Sequence, residues 1–76
     1  MLPEIEAWRL FCEEVEKRLI QKNTEGYTGW DGSYPTERLC KEMTNGALGT
    51  ERGYGGKKEC VDIAARAMMI HRRLEY

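Results

Sequence analysis

Residues 57–76, KKECVDIAARAMMIHRRLEY, decide the fold of this chain because they have the pattern of one long amphipathic helix. Small and apolar residues recur there at intervals of three and four, the spacing of one face of an α-helix. We expect the helix to span about residues 57–74, with cationic side chains at its negative C-terminal end. Its predicted packing stripe consists of Cys60, Ile63, Ala64, Ala67, Met68, His71 and Leu74.

The same spacing, together with helix-boundary residues, predicts two further helices. Pro3 suits a first helical turn, and we place the first helix at about residues 3–22. Its apolar stripe consists of Ile5, Trp8, Cys12, Val15 and Leu19. Pro35 begins a short second helix, which we expect to end near Asn45–Gly46 because that pair favours a helix stop.

Glycine-rich segments separate the predicted helices. Residues 23–34 contain three glycines and have the composition of a loop, and residues 46–56 contain five and predict a flexible connection. The pattern therefore predicts one all-α domain over residues 1–76, with two long helices and one short helix. Because a chain of 76 residues buries only a thin core, we expect self-association into a dimer or tetramer to complete a helical bundle.

Composition argues against several classes of protein. The formal net charge is -1 with mixed charges, which argues against an extended nucleic-acid-binding surface. No stretch approaches the roughly 20 apolar residues of a membrane span, and the start MLPEIEAW lacks the features of a secretory signal, so we expect a cytoplasmic protein. Cys12, Cys40 and Cys60 lack zinc-site spacing and are expected to be small buried side chains in a reducing compartment.

The acidic residues at the start of the third helix are the main candidates for chemistry. Glu59 and Asp62 are three residues apart and share a helix face, where two carboxylates can bind a hard cation such as Mg2+. Glu42 can join them if the second and third helices pack antiparallel. A purely structural alternative is that Glu42 is solvated and that Asp62 forms an exposed i,i+4 ion pair with Arg66.

The segment before the third helix suggests a contact with phosphate. Lys57 and Lys58 follow a glycine-rich run at a predicted helix N-terminus, although the run lacks the spacing of a Walker A motif and equally fits a simple connection. Trp30, in the first loop, either lies over a nucleobase or caps the small core.

Three segments, QKNTEGYTGW (21–30), ERLCKEM (37–43) and KKECVDIAARAMMI (57–70), resemble the small MazG-like proteins of phages and bacteria. These belong to the all-α nucleoside triphosphate pyrophosphohydrolase superfamily. The resemblance extends from about Phe11 to Leu74 and is most specific between Glu59 and Ile70.

The resemblance implies an enzyme that uses Mg2+ to release pyrophosphate from nucleoside triphosphates. It implies catalytic roles for Glu59 and Asp62 and metal ligation by Glu42, Glu59 and Asp62. The nucleotide contacts that we expect with it are Asn23, Trp30, Lys57 and Lys58.

Two residues depart from the family pattern. Lys41 and Asn45 occupy positions where that pattern has glutamates, and a lysine in place of a carboxylate changes the local charge by two units. Two further hypotheses therefore remain open. One is a non-catalytic, phage-type protein that binds and inhibits a host defence protein, and the other is a protein that sequesters nucleotides without hydrolysing them.

Overall fold

The computed structural model describes residues 2–26 and 35–74, and the regular structure in these residues is entirely helical. Helix α1 spans Pro3–Thr24, α2 spans Thr36–Glu51 and α3 spans Gly56–Arg73. The predicted all-α class with three helices is therefore confirmed. Among the described residues, no helix has the length and apolar character that crossing a membrane requires.

Helix α1 begins and ends close to the predicted positions. Leu2 precedes it in an extended conformation, and Pro3 occupies the first turn, where a missing N–H costs no hydrogen bond. Two residues after the end of the helix, Gly26 has a φ of 91° and donates its N–H to the carbonyl of Asn23 at 3.1 Å. A glycine in this left-handed conformation is a common helix stop.

Helix α2 is longer than predicted, because the chain remains helical through Asn45–Gly46. The actual stop is Gly53, with a φ of 91° and an N–H that donates to the Thr50 carbonyl at 3.0 Å. The N–H of Tyr54 donates to the Gly49 carbonyl at 2.7 Å. Together these two bonds form a Schellman motif, which satisfies carbonyls at the end of the helix.

The prediction of a short second helix with a flexible connection over residues 46–56 is therefore wrong. The connection between α2 and α3 is only residues 52–55. Such a short connection makes the two helices neighbours in an antiparallel hairpin. Thr36 contacts Arg73, Glu42 contacts Arg66, and Gly46 lies against Glu59, so the pairing runs in opposite directions along the two helices.

Helix α3 lies at the centre of the described fold, with α2 along one side and α1 on the other. Among the described residues, only Leu39 of α2 and Ala65 of α3 are buried, with 3% and 7% of their surface exposed. The core of a single chain is thus very small. The other covered apolar side chains, such as Val15, Ile63 and Ile70, are only half-buried.

The packed face of α3 differs from the predicted stripe. Cys60, Ala67, Met68, His71 and Leu74 are exposed, and only Ile63 and Ala64 of the stripe are half-buried. Around Ala65, the face that meets the other helices includes Asp62, Arg66, Met69, Ile70 and Arg73. Charged side chains occupy this face, and an apolar pattern alone cannot locate it.

The cysteines also differ from expectation. Cys40 and Cys60 are exposed in the single chain and Cys12 is half-buried, and all three are free thiols. The prediction of three buried cysteines is wrong for Cys40 and Cys60.

Candidate functional site

The carboxylate of Glu59 is directed towards α2. A side chain at Gly46 would collide with its Oε1 atom, so the missing Cβ of that glycine makes room for the carboxylate. Glu59 also forms an ion pair with Arg66 on its own helix, with 3.6 Å between Oε1 and Nη1. Glu59 and Arg66 are seven residues apart, which is two helical turns, so both lie on the side of α3 that faces α2.

The carboxylate of Asp62 is directed towards α1 instead. Arg18 donates from Nε to Asp62 Oδ1 at 3.0 Å, and the two side chains are only 16% and 14% exposed. Arg18 also donates from Nη1 to Gln21 Oε1 at 2.9 Å, which orients the guanidinium. Lys58 approaches the other oxygen of Asp62 at 4.0 Å. This cluster joins the first helix to the third.

Glu42 of α2 meets the α3 side chains through an arginine. Arg66 Nε lies 3.4 Å from Glu42 Oε2, and Arg38 lies 3.7 Å from the other carboxylate oxygen. Arg66 therefore stands between Glu42 and Glu59, which come from two different helices. The alternative ion pair between Asp62 and Arg66 is wrong, since each has its partners elsewhere.

The fit of these residues to Mg2+ is poor. A magnesium ion requires oxygen ligands at roughly 2.0–2.1 Å in octahedral geometry. Glu59 and Asp62 face different helices, and a guanidinium lies between Glu59 and Glu42. In residues 2–26 and 35–74, no group of three or more His, Cys, Asp and Glu side chains is placed to hold a metal ion.

A groove with a volume of about 560 Å³ lies between α1 and the first turns of α3. It is open to solvent, and its lining residues are Glu14, Lys17, Arg18, Gln21, Lys57, Lys58 and Val61. Four of these side chains are cationic and one is acidic. The groove also faces the N-terminus of an 18-residue helix, where free N–H groups carry partial positive charge. The groove is thus suited to an anionic ligand.

The predicted site residues are distributed around this groove and the α2–α3 contact. Lys57 and Lys58 line the groove, while Asn23 is exposed in the last turn of α1 and is not among the lining residues. Trp30 lies outside the described residues. Lys41 and Asn45, which depart from the family pattern, are both exposed on α2.

Arg18 and Arg66 are functional candidates that the sequence pattern does not single out. Both are cations next in sequence to covered apolar residues: Arg18 precedes Leu19, which is half-buried, and Arg66 follows Ala65, which is buried. A charged residue at such a position needs a partner of opposite charge, which is the available signal. Spacing alone does not show which carboxylate that partner is.

The comparisons with known proteins give no relative for this chain: no protein-family model, no curated protein and no solved structure matches it.

Proposed function

We propose that this chain is a nucleotide-binding relative of the MazG-like nucleoside triphosphate pyrophosphohydrolases, and that the groove between α1 and α3 binds the phosphate groups. The observation that supports the proposal is the charge of the groove: its lining has four cations and one acid, Glu14, and the cations stay in excess when Asp62, the partner of Arg18, is counted. A triphosphate places several negative charges within a few ångströms, so it gains most from such a cluster. We place this function in the cytoplasm, where nucleoside triphosphates are abundant.

The cations of the groove would act in two ways. Lys57 and Lys58 are exposed point charges on flexible side chains, which can follow phosphate oxygens in several geometries. Arg18 is held by Asp62 and Gln21, so its guanidinium is oriented before a ligand arrives. An oriented donor loses little conformational freedom on binding, which favours affinity.

In this function the chain binds nucleotides and does not hydrolyse them. The carboxylates that the family resemblance makes metal ligands are Glu42, Glu59 and Asp62, and each is paired with an arginine. Nucleotide binding without turnover would make the protein a store or sponge for nucleotides. A hydrolytic enzyme remains the alternative that the same resemblance implies.

Binding is tested by isothermal titration calorimetry with ATP, dATP and pyrophosphate in the presence of EDTA. The double variant Lys57→Gln/Lys58→Gln should bind at least about tenfold more weakly, because each lost phosphate contact removes a charge-assisted interaction. Lys41→Gln is the matched control, since it removes an exposed lysine from α2, outside the groove. Equal nucleotide affinities of the two variants would argue against phosphate binding in the groove.

Hydrolysis is tested by pyrophosphate release from a panel of nucleoside triphosphates with Mg2+ or Mn2+. We expect no release from the wild-type protein in conditions where it binds nucleotide. Release that disappears in Glu59→Ala would instead establish an enzyme and would contradict the assignment of binding alone.

The proposed form of the protein is a dimer or tetramer of this chain. Trp8 and Leu10 of α1 are 59% and 62% exposed, and Ile5, Met68 and Leu74 also leave apolar surface uncovered. Apolar surface of this kind on the helices of a small chain favours burial against another copy.

A second candidate function is the binding and inhibition of a host protein. The same exposed side chains of α1 favour it, because a partner protein could cover them in place of a second copy. A protein that binds no nucleotide, releases no pyrophosphate and remains monomeric would support this second function.

A further inference from the structure

Arg66 occupies the position between two carboxylates that belong to different helices. Its Nε atom lies 3.4 Å from Glu42 Oε2, and its Nη1 atom lies 3.6 Å from Glu59 Oε1. The three side chains are each between a quarter and about a third exposed, so water screens them only partly. One guanidinium thus serves two acids with two different N–H groups.

The surroundings of Glu59 limit what else could reach it. Its carboxylate lies against the backbone of Gly46, at a point where α2 has no Cβ. A magnesium ion usually keeps several of its waters and needs space for them. The guanidinium of Arg66 needs no such space. Because it belongs to α3 itself, it always lies close to the two carboxylates.

We propose that Arg66 is the chain's own counter-cation for Glu42 and Glu59, and that it keeps divalent cations out of the contact between α2 and α3. The positive charge that a bound metal would supply between these acids comes from the protein itself. The α2–α3 hairpin is therefore independent of Mg2+, and removal of Arg66 creates a cation site that the wild type lacks. The inference does not depend on nucleotide binding in the α1–α3 groove.

The test is a titration with Mn2+, followed by the electron paramagnetic resonance signal of the free ion. The wild-type protein should show only weak binding. Arg66→Gln removes the cation that Glu42 and Glu59 share, while Arg38 stays 3.7 Å from Glu42 Oε1. The variant should bind Mn2+ at least about tenfold more tightly than the wild type, with the gain lost in Arg66→Gln/Glu59→Gln. Arg38→Gln is the matched control, since it removes a more exposed arginine from the same carboxylate, and it should resemble the wild type.

Two results would overturn the proposal. One is tight Mn2+ binding by the wild-type protein that disappears in Glu59→Gln. The other is a folded Arg66→Gln variant that gains no affinity for Mn2+ over the wild type.

A measurement on the wild-type chain keeps the proposal testable if Arg66→Gln does not fold. The unfolding temperature of the wild type should be the same in EDTA and in millimolar MgCl2 at matched ionic strength. A rise in MgCl2 that is absent in Glu59→Gln would show that Mg2+ already binds at these acids, and the proposal would be wrong.

Discussion

Arg18 and Asp62, 44 residues apart, form the most enclosed ion pair among the described residues, with 3.0 Å between Nε and Oδ1. The pair joins α1 to α3, and no residue of α1 is fully buried. We therefore expect this charge-assisted hydrogen bond to contribute more to the attachment of α1 than an exposed ion pair would.

We expect Asp62→Asn and Arg18→Met each to lower the free energy of unfolding by about 1.5–3 kcal/mol, the range for a hydrogen bond to a charged partner. The double variant should lose less than the sum, with a coupling energy of about 1–2 kcal/mol in a double-mutant cycle measured by urea unfolding. Lys17→Met is the control, because its pair with Glu14 is exposed and should contribute less than about 1 kcal/mol. An Asp62→Asn variant as stable as Lys17→Met would contradict this role.

The stability of the chain should respond differently to alanine at Gly46 and at Gly49, both within α2. Gly49→Ala meets only the Tyr54 Cβ at 4.0 Å, so it should stabilise the chain by up to about 1 kcal/mol through helix propensity. Gly46→Ala should gain nothing, because its methyl group displaces the Glu59 carboxylate and weakens the ion pair with Arg66.

The background variant Glu59→Ala separates the two effects at Gly46. Without the carboxylate, Gly46→Ala should recover the gain of about 1 kcal/mol that helix propensity predicts. Thermal unfolding of the four variants provides the comparison. If Gly46→Ala stabilises the wild type as much as Gly49→Ala does, the carboxylate is not held against α2.

The extent of the helices shows what can be predicted from this sequence. Pro3 and the apolar spacing locate α1 to within two residues at its C-terminal end, because both are local signals. The end of α2 was misplaced because Asn45–Gly46 has the local chemistry of a stop. Gly46 remains helical next to Glu59, a side chain from another helix, and no local pattern contains that information.

The sequence places some of the candidate residues near one another but does not give their partners. Glu59 and Asp62 do lie on the packed side of α3, and Lys57 and Lys58 do line a groove. The spacing i,i+3 does not determine which neighbouring helix each carboxylate meets, since that depends on the rotation of α3 about its own axis. The two arginine partners follow from that rotation, and the sequence does not specify it.

The exposure of Cys40 and Cys60 predicts their reactivity. In the native protein, both should be alkylated by iodoacetamide at rates close to those of the unfolded chain, whereas half-buried Cys12 should react more slowly. Peptide mass spectrometry after short reaction times assigns the modified residue. Protection of Cys40 and Cys60 at high protein concentration, but not at low concentration, would place them in a contact between copies.

Trp8 is the residue whose exposure is hardest to reconcile with an isolated chain. Among the described residues its ring contact is with Phe11, in a tilted arrangement with 6.1 Å between ring centroids, and 59% of its surface is exposed. If α1 pairs with another copy, Trp8→Glu places a charge in that contact and should dissociate the oligomer to a monomer. Analytical ultracentrifugation over a range of concentrations measures the change.

Tyr54→Glu is the matched control for that experiment. Tyr54 is 70% exposed in the connection between α2 and α3, so the same kind of charge is introduced away from α1. It should leave the oligomer intact, while circular dichroism checks that both variants keep their helices. A wild-type chain that sediments as a monomer at all concentrations would show that no second copy covers Trp8, and it would favour the protein-binding function over self-association.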